Sequence, residues 1–151
     1  MTIRRIEDYS HIFENETIAK LLMLCMINPT YGKVQNIAQS VYAKNQGRFY
    51  VCEKDGEIIG IAGGSQINND QFILRHMAVA PDQKRTGIGK KLLSALIADG
   101  HYDSVALECD YKSVKFFKNF GFKCVSDIDP ILEMKRYNCL LDVKKWRESN
   151  Q

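Results

Sequence analysis

The sequence predicts a mixed α/β fold whose sheet is mostly antiparallel, with one parallel strand pair near its centre. Asp55-Gly56 lies between two apolar runs, which is a strong hairpin signal, and Asn68-Asn69-Asp70 marks a second turn. The strand–helix–strand order after Val79 predicts the parallel pair, because parallel neighbours need such a crossover. No repeat, linker or low-complexity run divides the 151 residues, so residues 1–151 are predicted to form a single domain.

The first half of the chain predicts an edge strand, two helices and a three-stranded meander. Apolar side chains recur at helical spacing in two segments, and Asn28-Pro29 ends the first of them. Glycines 60, 63 and 64 weaken the middle strand of the meander, which a bulge or a close backbone approach would explain. The expected elements are Thr2–Ile6, Ser10–Met26, Gly32–Asn45, Phe49–Glu53, Glu57–Gly63 and Phe72–Val79.

The second half predicts a helix opened by two glycines, followed by a closing set of strands. Asp99-Gly100 stops that helix, and its one buried face is formed by Ile88, Leu92, Leu93, Leu96 and Ile97. The last segment is expected to be a short amphipathic helix that packs on its own domain or on a second subunit. The remaining expected elements are strand Ser104–Cys109, helix Tyr111–Phe120, strands Phe122–Val125 and Ile131–Tyr137, and helix Leu140–Trp146.

The composition is typical of a soluble, cytoplasmic protein that binds neither nucleic acid nor membrane. The formal net charge is only +3, and the basic residues cluster at one turn rather than along a helix face. No apolar run is long enough to span a bilayer, and the N-terminus lacks a leader pattern. The five cysteines have no paired metal spacing, so reduced thiols and no metal site are expected.

The start of the glycine-opened helix is unusually basic. Lys84, Arg85, Lys90 and Lys91 crowd this end, where the helix dipole is positive and each exposed cation should cost roughly 0.3–1 kcal/mol. Unpaired backbone N–H groups, glycines and cations together suit an anion, most naturally a phosphate. The alternative is a solvated basic turn whose glycines let the chain bend.

Two common phosphate motifs do not fit this segment. Leu92 stands where a dinucleotide fingerprint requires its third glycine, and Lys91 stands where a Walker loop requires Ser or Thr. The strand end Met77-Ala78-Val79-Ala80-Pro81, followed by Lys84-Arg85-Thr86-Gly87-Ile88-Gly89, instead resembles the signature of the GNAT superfamily, the acetyl-CoA-dependent N-acetyltransferases. Lys84 departs from the Gln or Arg of that signature and keeps a donor without the planar geometry.

This resemblance implies a fold and a cofactor site. The order of the predicted elements matches the family, whose sheet has helices on both faces and a central parallel pair that splays apart around the pantetheine arm. The backbone of residues 77–79 would pair with the arm like an added strand, and residues 85–90 would hold the pyrophosphate of acetyl-CoA. The implied contacts are Met77, Ala78, Val79, Lys84, Arg85, Thr86, Gly87, Ile88, Gly89, Lys90, Asp110, Ser113 and Phe117.

The proton donor for the departing thiolate is the main departure from the family pattern. Many members carry a Tyr where this chain has Phe117, and Asp110 replaces a usual Asn. Three explanations stay open: another group is the acid, solvent protonates the thiolate, or the protein binds acyl-CoA with little turnover. The alternative acids within sequence reach are Cys109, Tyr111, Ser113 and Tyr137.

The base and the acceptor site are less well defined by the sequence. The family's usual base positions correspond to Ile73 and Arg75, which cannot act as bases, and strand alternation turns His76 to the opposite face. Glu108 and Tyr111 are therefore the expected catalytic residues, with Glu108 reaching the amine directly or through water. The resemblance places Tyr31, Tyr42, Asp127 and Asp129 at the acceptor pocket.

The predicted function is N-acetyl transfer from acetyl-CoA to a primary amine of a small molecule or peptide, in a ternary complex. Beyond acetyl-CoA and the acceptor, the protein is expected to be a monomer or a homodimer. A sensor module that binds acyl-CoA without turnover is the alternative, and a nucleic-acid-binding module is a weaker one, because further basic surface is scarce.

Overall fold

The computed structural model describes residues 1–128, 130–131 and 135–150. Its strands are hydrogen-bonded in the order β1-β2-β3-β4-β5-β7-β6, which confirms the predicted fold class. The strands are β1 (Thr2–Arg5), β2 (Gly47–Lys54), β3 (Glu57–Gln66), β4 (Gln71–Val79), β5 (Ser104–Cys109), β6 (Lys123–Ile128) and β7 (Lys135–Asp142). The α-helices are α1 (Ser10–Glu14), α2 (Glu16–Met23), α3 (Tyr31–Ile37), α4 (Ile88–Asp99), α5 (Val114–Phe120) and α6 (Val143–Ser149), with a π-helix at Ala38–Tyr42 and a 3-10 turn at Pro81–Gln83.

The chain forms two compact units. The first comprises Met1–Gln66 and Leu74–Gly100, and the second comprises Ile67–Ile73 and His101–Gln151. The expectation of a single domain over residues 1–151 stays a prediction.

In the first unit, a single long helix over residues 10–26 was expected, and that expectation is wrong. Asn15 has extended backbone angles (φ −83°, ψ 114°), so α1 ends there and α2 begins at the next residue. The Asn15 side chain accepts a hydrogen bond from the backbone N–H of Ile18, which is an N-cap contact. The asparagine side chain hydrogen-bonds to backbone groups in place of the helical bonds. Apolar periodicity does not reveal this break, so it predicted one helix where the structure has two.

The second expected helix also differs from the structure. Thr30 caps α3 by accepting a hydrogen bond from the N–H of Lys33, and the helix continues as a π-helix that ends at Tyr42 rather than at Asn45. The amide of Ala43 bonds to the carbonyl of Ala38, five residues back. A π-turn inserts one residue into the helical repeat, and sequence periodicity does not reveal it.

Two of the three glycines of β3, Gly60 and Gly63, mark close approaches, which is one of the two explanations that the sequence left open. A Cβ built on Gly60 would lie 2.9 Å from Leu92 Cδ1 in α4, and one built on Gly63 would lie 2.6 Å from Tyr42 Oη in the π-helix. Because side chains three residues apart on a strand point to opposite faces, helices pack on both faces of β3. A register shift opposite Cys52 and Glu53 adds a bulge to the same strand.

The second unit contains the predicted parallel pair. Gln71, Phe72 and Ile73 of β4 pair with Ser104, Val105 and Ala106 of β5, and β7 pairs antiparallel with both β5 and β6. The buried face is lined by Val105, Leu107, Cys139 and Leu141.

The last two expected elements are displaced along the chain. The strand expected at Ile131–Tyr137 is β7, which runs to Asp142, so Leu140–Asp142 belong to a strand and not to the expected helix. Residues 132–134 of that expected strand lie outside the described residues. The helix begins at Val143 because the Asp142 side chain accepts a hydrogen bond from the N–H of Lys145.

Substituting Gly47 tests the packing of the first unit. A Cβ on Gly47 would collide with the backbone carbonyl of Val41 and lie 2.9 Å from Tyr42 Cα, and backbone atoms cannot yield cheaply. We expect Gly47→Ala to lower the free energy of unfolding in urea by about 2–3 kcal/mol.

Gly32→Ala is the matched control for this substitution. Gly32 lies inside α3, and its Cβ would meet only Thr30 Oγ1 at 3.9 Å, so alanine should raise the unfolding free energy by about 0.4–1 kcal/mol. Equal effects of the two substitutions would contradict the described contact between the π-helix and β2.

Candidate active site

The end of β4 presents backbone groups on an edge that β3 does not use. The N–H of Ala80 donates to the carbonyl of Ile59 in β3, and a Cβ on Gly60 would lie 3.4 Å from the carbonyl oxygen of Ala78. Ala78 and Ala80 therefore face β3. Because the polar groups of successive strand residues point to opposite edges, those of Met77 and Val79 point away from β3.

A thiol from the N-terminal helices reaches this edge. Cys25, just after α2, donates its Sγ–H to the carbonyl oxygen of Met77 over 3.5 Å. Burial raises the pKa of the Cys25 thiol to about 11, so it stays protonated at neutral pH.

Two residues of the segment between β4 and α4 have left-handed backbone conformations, which residues other than glycine rarely adopt. Arg85 has φ +67° and Gly87 has φ +81°, both in the left-handed region. Gly87 is the N-cap of α4, and no side chain caps the helix. The first helical bond runs from the N–H of Lys91 to the carbonyl of Gly87, so the preceding N–H groups have no intrahelical partner.

The space around this helix start is open. A Cβ on Gly87 would have no atom within 4 Å, and Thr86 turns its hydroxyl back to the carbonyl of Gln83. Lys84, Arg85, Lys90 and Lys91 are all exposed, and none forms an ion pair with a residue that the structure describes. The arrangement presents backbone donors and uncompensated positive charge to one small volume, which suits a multiply charged anion.

Packing fixes the position of this helix start. Ile88, its first residue, is 2% exposed, and its Cγ2 would lie 3.0 Å from a Cβ on Gly60. The bare backbone of Gly60 thus lets α4 approach β3 closely at the turn that carries the open N–H groups.

In the second unit, the remaining predicted cofactor residues surround the start of α5. One carboxylate oxygen of Asp110 accepts hydrogen bonds from the N–H groups of Lys112 and Ser113, so this side chain stabilises the turn before the helix. Ser113 is exposed. Phe117 is 5% exposed and packs against Phe116 and Phe122, with ring centroids 5.1 and 5.5 Å away.

The two expected catalytic residues both lie at the surface of the second unit. Glu108 forms an ion pair with Arg136, with Oε1 3.1 Å from Nε, and Tyr111 is 65% exposed. Of the alternative acids, Cys109 is buried with its Sγ 3.9 Å from that of Cys139, and burial raises the pKa of its thiol. Tyr137 lies opposite Cys109 in the β5–β7 ladder.

The residues expected at the acceptor pocket are not gathered by the described contacts. Tyr31 donates its hydroxyl to the carbonyl of Phe13, over 2.5 Å, and Asp127 accepts from the N–H of Ile128. Asp129 lies outside the described residues.

The structure reveals one polar pair that sequence analysis did not join. The hydroxyl of Tyr42 and Nδ1 of His76 are 2.6 Å apart, and Tyr42 is only 7% exposed. Burial, with a smaller contribution from Arg75, lowers the pKa of His76 to about 4, and burial raises that of Tyr42 well above its ordinary value. The two residues are 34 positions apart, and only Gly63, whose missing side chain makes room for the hydroxyl, hinted at the contact.

Other classes of site find no support among the described residues. No group of three or more His, Cys, Asp or Glu side chains there could hold a metal ion, and no helix there is long and apolar enough to cross a membrane. The five cysteines are free thiols, with Cys52, Cys109 and Cys139 buried.

Comparison with known proteins identifies relatives of this arrangement. Residues 45–124, more than half of the chain, match the family model of the acetyltransferase (GNAT) domain. No curated protein matches the sequence.

Solved structures with low sequence identity share the fold. An aminoglycoside 6'-N-acetyltransferase complexed with coenzyme A superposes with a TM-score of 0.76 at 13% identity, covering 95% of this chain and 97% of the other. A GNAT family acetyltransferase from Elizabethkingia anophelis with acetyl-CoA bound gives 0.69 at 16% identity, covering 93% and 97%. The ribosomal-protein-S18-alanine N-acetyltransferase from Escherichia coli gives 0.73 at 16% identity, covering 94% and 93%.

The depressed pKa of His76 predicts a loss of stability in acid. The unfolded chain protonates this imidazole below about 6.5 but the folded protein only below about 4, so stability falls as the pH drops through this interval. At pH 4.5 the loss should reach about 2–3 kcal/mol relative to pH 7.5.

Urea unfolding of the wild type and of His76→Gln at both pH values measures this loss. Carboxylates titrate in both proteins, so the difference between their pH dependences isolates the histidine. Parallel stability curves for the two proteins would show that His76 does not titrate in this way.

Proposed function

The chain belongs to the GNAT family of acetyltransferases, and we propose that it transfers an acetyl group from acetyl-CoA to a primary amine of a small molecule or peptide. The transfer is direct, within a ternary complex of protein, acetyl-CoA and amine. The acetyl donor is acetyl-CoA, as in the relative from Elizabethkingia anophelis that contains it.

The observation that carries this proposal is the open start of α4. Coenzyme A has a diphosphate. The uncapped N–H groups after Gly87 can donate hydrogen bonds to its oxygens, and the positive end of the helix dipole attracts its negative charge. Residues 85–90 bind this diphosphate mainly through the backbone, and Lys84 contributes charge at the position where the family signature has Gln or Arg. A side chain at Gly87 would occupy the volume that the diphosphate needs.

The edge of β4 that faces away from β3 supports the placement of the pantetheine arm. The polar groups of Met77 and Val79 point away from β3, so they can bond an extended amide-containing chain as an added strand would. The Met77 carbonyl already accepts from the Cys25 thiol, and its oxygen has a second lone pair. This binding mode uses no particular side chain. In the second unit, Asp110, Ser113 and Phe117 are the further proposed contacts of the cofactor.

The chemistry requires a neutral amine, a stabilised acetyl oxygen and a proton for the departing thiolate. Glu108 is the proposed base, because it is a carboxylate on β5 that is exposed at the surface, where its Oε1 lies 3.1 Å from Arg136 Nε. The buried Phe117 ring has no proton to give. Solvent, or the exposed hydroxyl of Tyr111, supplies the thiolate with its proton, and this help contributes about 10²–10⁴-fold at most.

Both acceptor classes in the proposal have counterparts among the relatives. One structural relative is named for an aminoglycoside and another for the alanine of a ribosomal protein. At 13% and 16% identity these relatives share the fold with this chain, and the proposed acceptor is a primary amine.

Release of free coenzyme A thiol, measured with a panel of amines, tests the function. We expect thiol release that depends on both acetyl-CoA and an amine. Tight binding of acetyl-CoA with no turnover on any amine would instead support the sensor alternative, and no binding would contradict both.

Gly87→Glu tests the diphosphate site directly. The added carboxylate fills the open volume with the wrong charge, so we expect the affinity for acetyl-CoA, measured by calorimetry, to fall more than about 100-fold.

Gly56→Glu is a closely matched control. Gly56 also has a left-handed backbone (φ +79°) and no atom within 4 Å of a Cβ, but it lies in the β2–β3 turn. Both variants should lose about 1–2 kcal/mol of stability from the backbone, while only Gly87→Glu loses binding. Unchanged affinity in Gly87→Glu would refute the site.

A further inference from the structure

The hydrogen bond between Tyr42 and His76 determines which nitrogen of the imidazole carries the proton. The Tyr42 hydroxyl stays protonated, and His76 Nδ1 is the only hydrogen-bond partner of this hydroxyl among the residues that the structure describes. If Nδ1 were the donor, the buried O–H would have no acceptor, an arrangement that buried polar groups avoid. Tyr42 therefore donates to Nδ1, and Nε2 carries the imidazole proton.

The protonated Nε2 is presented to solvent or to a ligand. Within the described part of the chain, Nε2 has no hydrogen-bond partner, yet no buried side-chain nitrogen or oxygen there lacks one. The atom must therefore be accessible, and His76 as a whole is half-buried. The pair thus positions one neutral N–H donor at an opening in the first unit.

Several features of the first unit hold this donor in place. Gly63 leaves room for the Tyr42 hydroxyl, and the π-helix places Tyr42 at its last residue. Phe49 packs edge-on against the Tyr42 ring, with centroids 4.8 Å apart. A π-turn destabilises a helix and an interior glycine destabilises a strand. Both features are therefore consistent with a functional role for the Tyr42–His76 pair that they position.

The position of His76 on β4 relates it to the reacting group. If the diphosphate lies at Gly87 and the arm runs along Val79 and then Met77, the acetyl end of the arm lies beyond Met77, at a spacing of about 3.4 Å per strand residue. His76 is the next residue, and its side chain shares a face with Ala78, which packs against the core cluster formed by the N-terminal helices with β2 and β3. The opposite-facing neighbour Arg75 is hydrogen-bonded to Ser65.

We propose that His76 is a catalytic residue that donates an Nε2–H hydrogen bond to the acetyl oxygen, and that Tyr42 is the positioning residue that fixes its tautomer. This inference rests on the proposed function. The amine nitrogen forms a bond to the acetyl carbon, the carbon–sulfur bond breaks, Glu108 takes the amine proton, and solvent or the Tyr111 hydroxyl gives a proton to the thiolate. His76 keeps its own proton throughout, so it stabilises developing negative charge and is not the base.

The groups around the imidazole are consistent with a neutral donor. Tyr42 faces it from the π-helix, Arg75 is its neighbour on β4, and the Cys25 thiol lies near Tyr42 after α2. Arg75 is a cation, and the two other groups are neutral at pH 7. A neutral imidazole is well suited to this task, because it changes charge neither on binding nor during the transfer.

Spectroscopy gives the first test, and its decisive readout comes from the wild-type protein. Nitrogen-15 NMR of labelled histidine should show His76 as the Nε2–H tautomer at pH 6–8, with the signal assigned by its absence from His76→Gln. In Tyr42→Phe both tautomers should appear. A wild-type signal from the Nδ1–H tautomer, or from a charged ring at pH 6, would overturn the proposal.

Kinetics give the second test. We expect His76→Leu to lower kcat about 10²–10³-fold with the KM for acetyl-CoA within a factor of two, and His76→Gln, which keeps an N–H donor, to retain more activity. Tyr42→Phe should lower kcat about tenfold. The pH profile of His76→Gln should keep the wild-type shape at a reduced height, and a lost inflexion would show instead that His76 is a base.

The outcomes separate this inference from the proposed function. Acetyl-CoA affinity is measured by calorimetry on every variant. If the wild type binds acetyl-CoA and acetylates an amine but His76→Leu does so equally fast, the role of His76 is refuted and the function stands. If the wild type does not bind acetyl-CoA, the function itself fails.

Discussion

The contact of Ile88 and Leu92 with the bare backbone of Gly60 is the packing constraint on which the first unit's candidate site depends. These two side chains would lie within 3.0 Å of a Cβ at that position, so α4 can sit this close to β3 only above a glycine. The same contact fixes the first turn of α4 relative to the end of β4. The uncapped N–H groups and the edge of β4 that faces away from β3 are therefore held by one rigid piece of core, as a binding site for a flexible cofactor requires.

The cost of this arrangement is visible in the local electrostatics and backbone. Four exposed cations crowd the positive end of a helix dipole, and Arg85 adopts a left-handed conformation that side chains disfavour. A helix that served only to cover the sheet would be stabilised by a capping side chain and acidic residues in its first turn, and α4 has neither. Features that each lower stability at one place are understandable when an anion completes the site.

The sequence predicted the parts of the fold whose signals are local. The Asp55-Gly56 hairpin, the glycine-opened helix and the parallel pair were all confirmed, because turn residues and crossovers act over short stretches. It joined α1 to α2 because Asn15 reads as an ordinary polar residue within a helical pattern. It also placed the last strand too early, because β7 ends only where Asp142 caps α6, and apolar residues on both sides of that cap have similar periodicity.

The sequence predicted the part of the candidate site whose backbone conformation requires glycine. It did not predict the contacts between side chains that are distant in the chain. The open, uncapped start of α4 follows from Gly87 and its neighbours, which are adjacent in the chain. The Tyr42–His76 pair depends on a π-turn and on the space left by the missing side chain of Gly63. The sequence near either residue does not indicate that the two side chains are in contact. The same limit applies to Glu108, whose ion pair with Arg136 joins two strands.

The most direct measurement of the central claim is an amide NMR titration of the isotopically labelled protein with acetyl-CoA. We expect the N–H resonances of residues 87–90 to shift most, together with those of Met77 and Val79, because these groups gain hydrogen bonds to the diphosphate and the arm. Saturation with acetyl-CoA while the resonances of residues 87–90 stay unchanged would show instead that the ligand binds somewhere other than the start of α4.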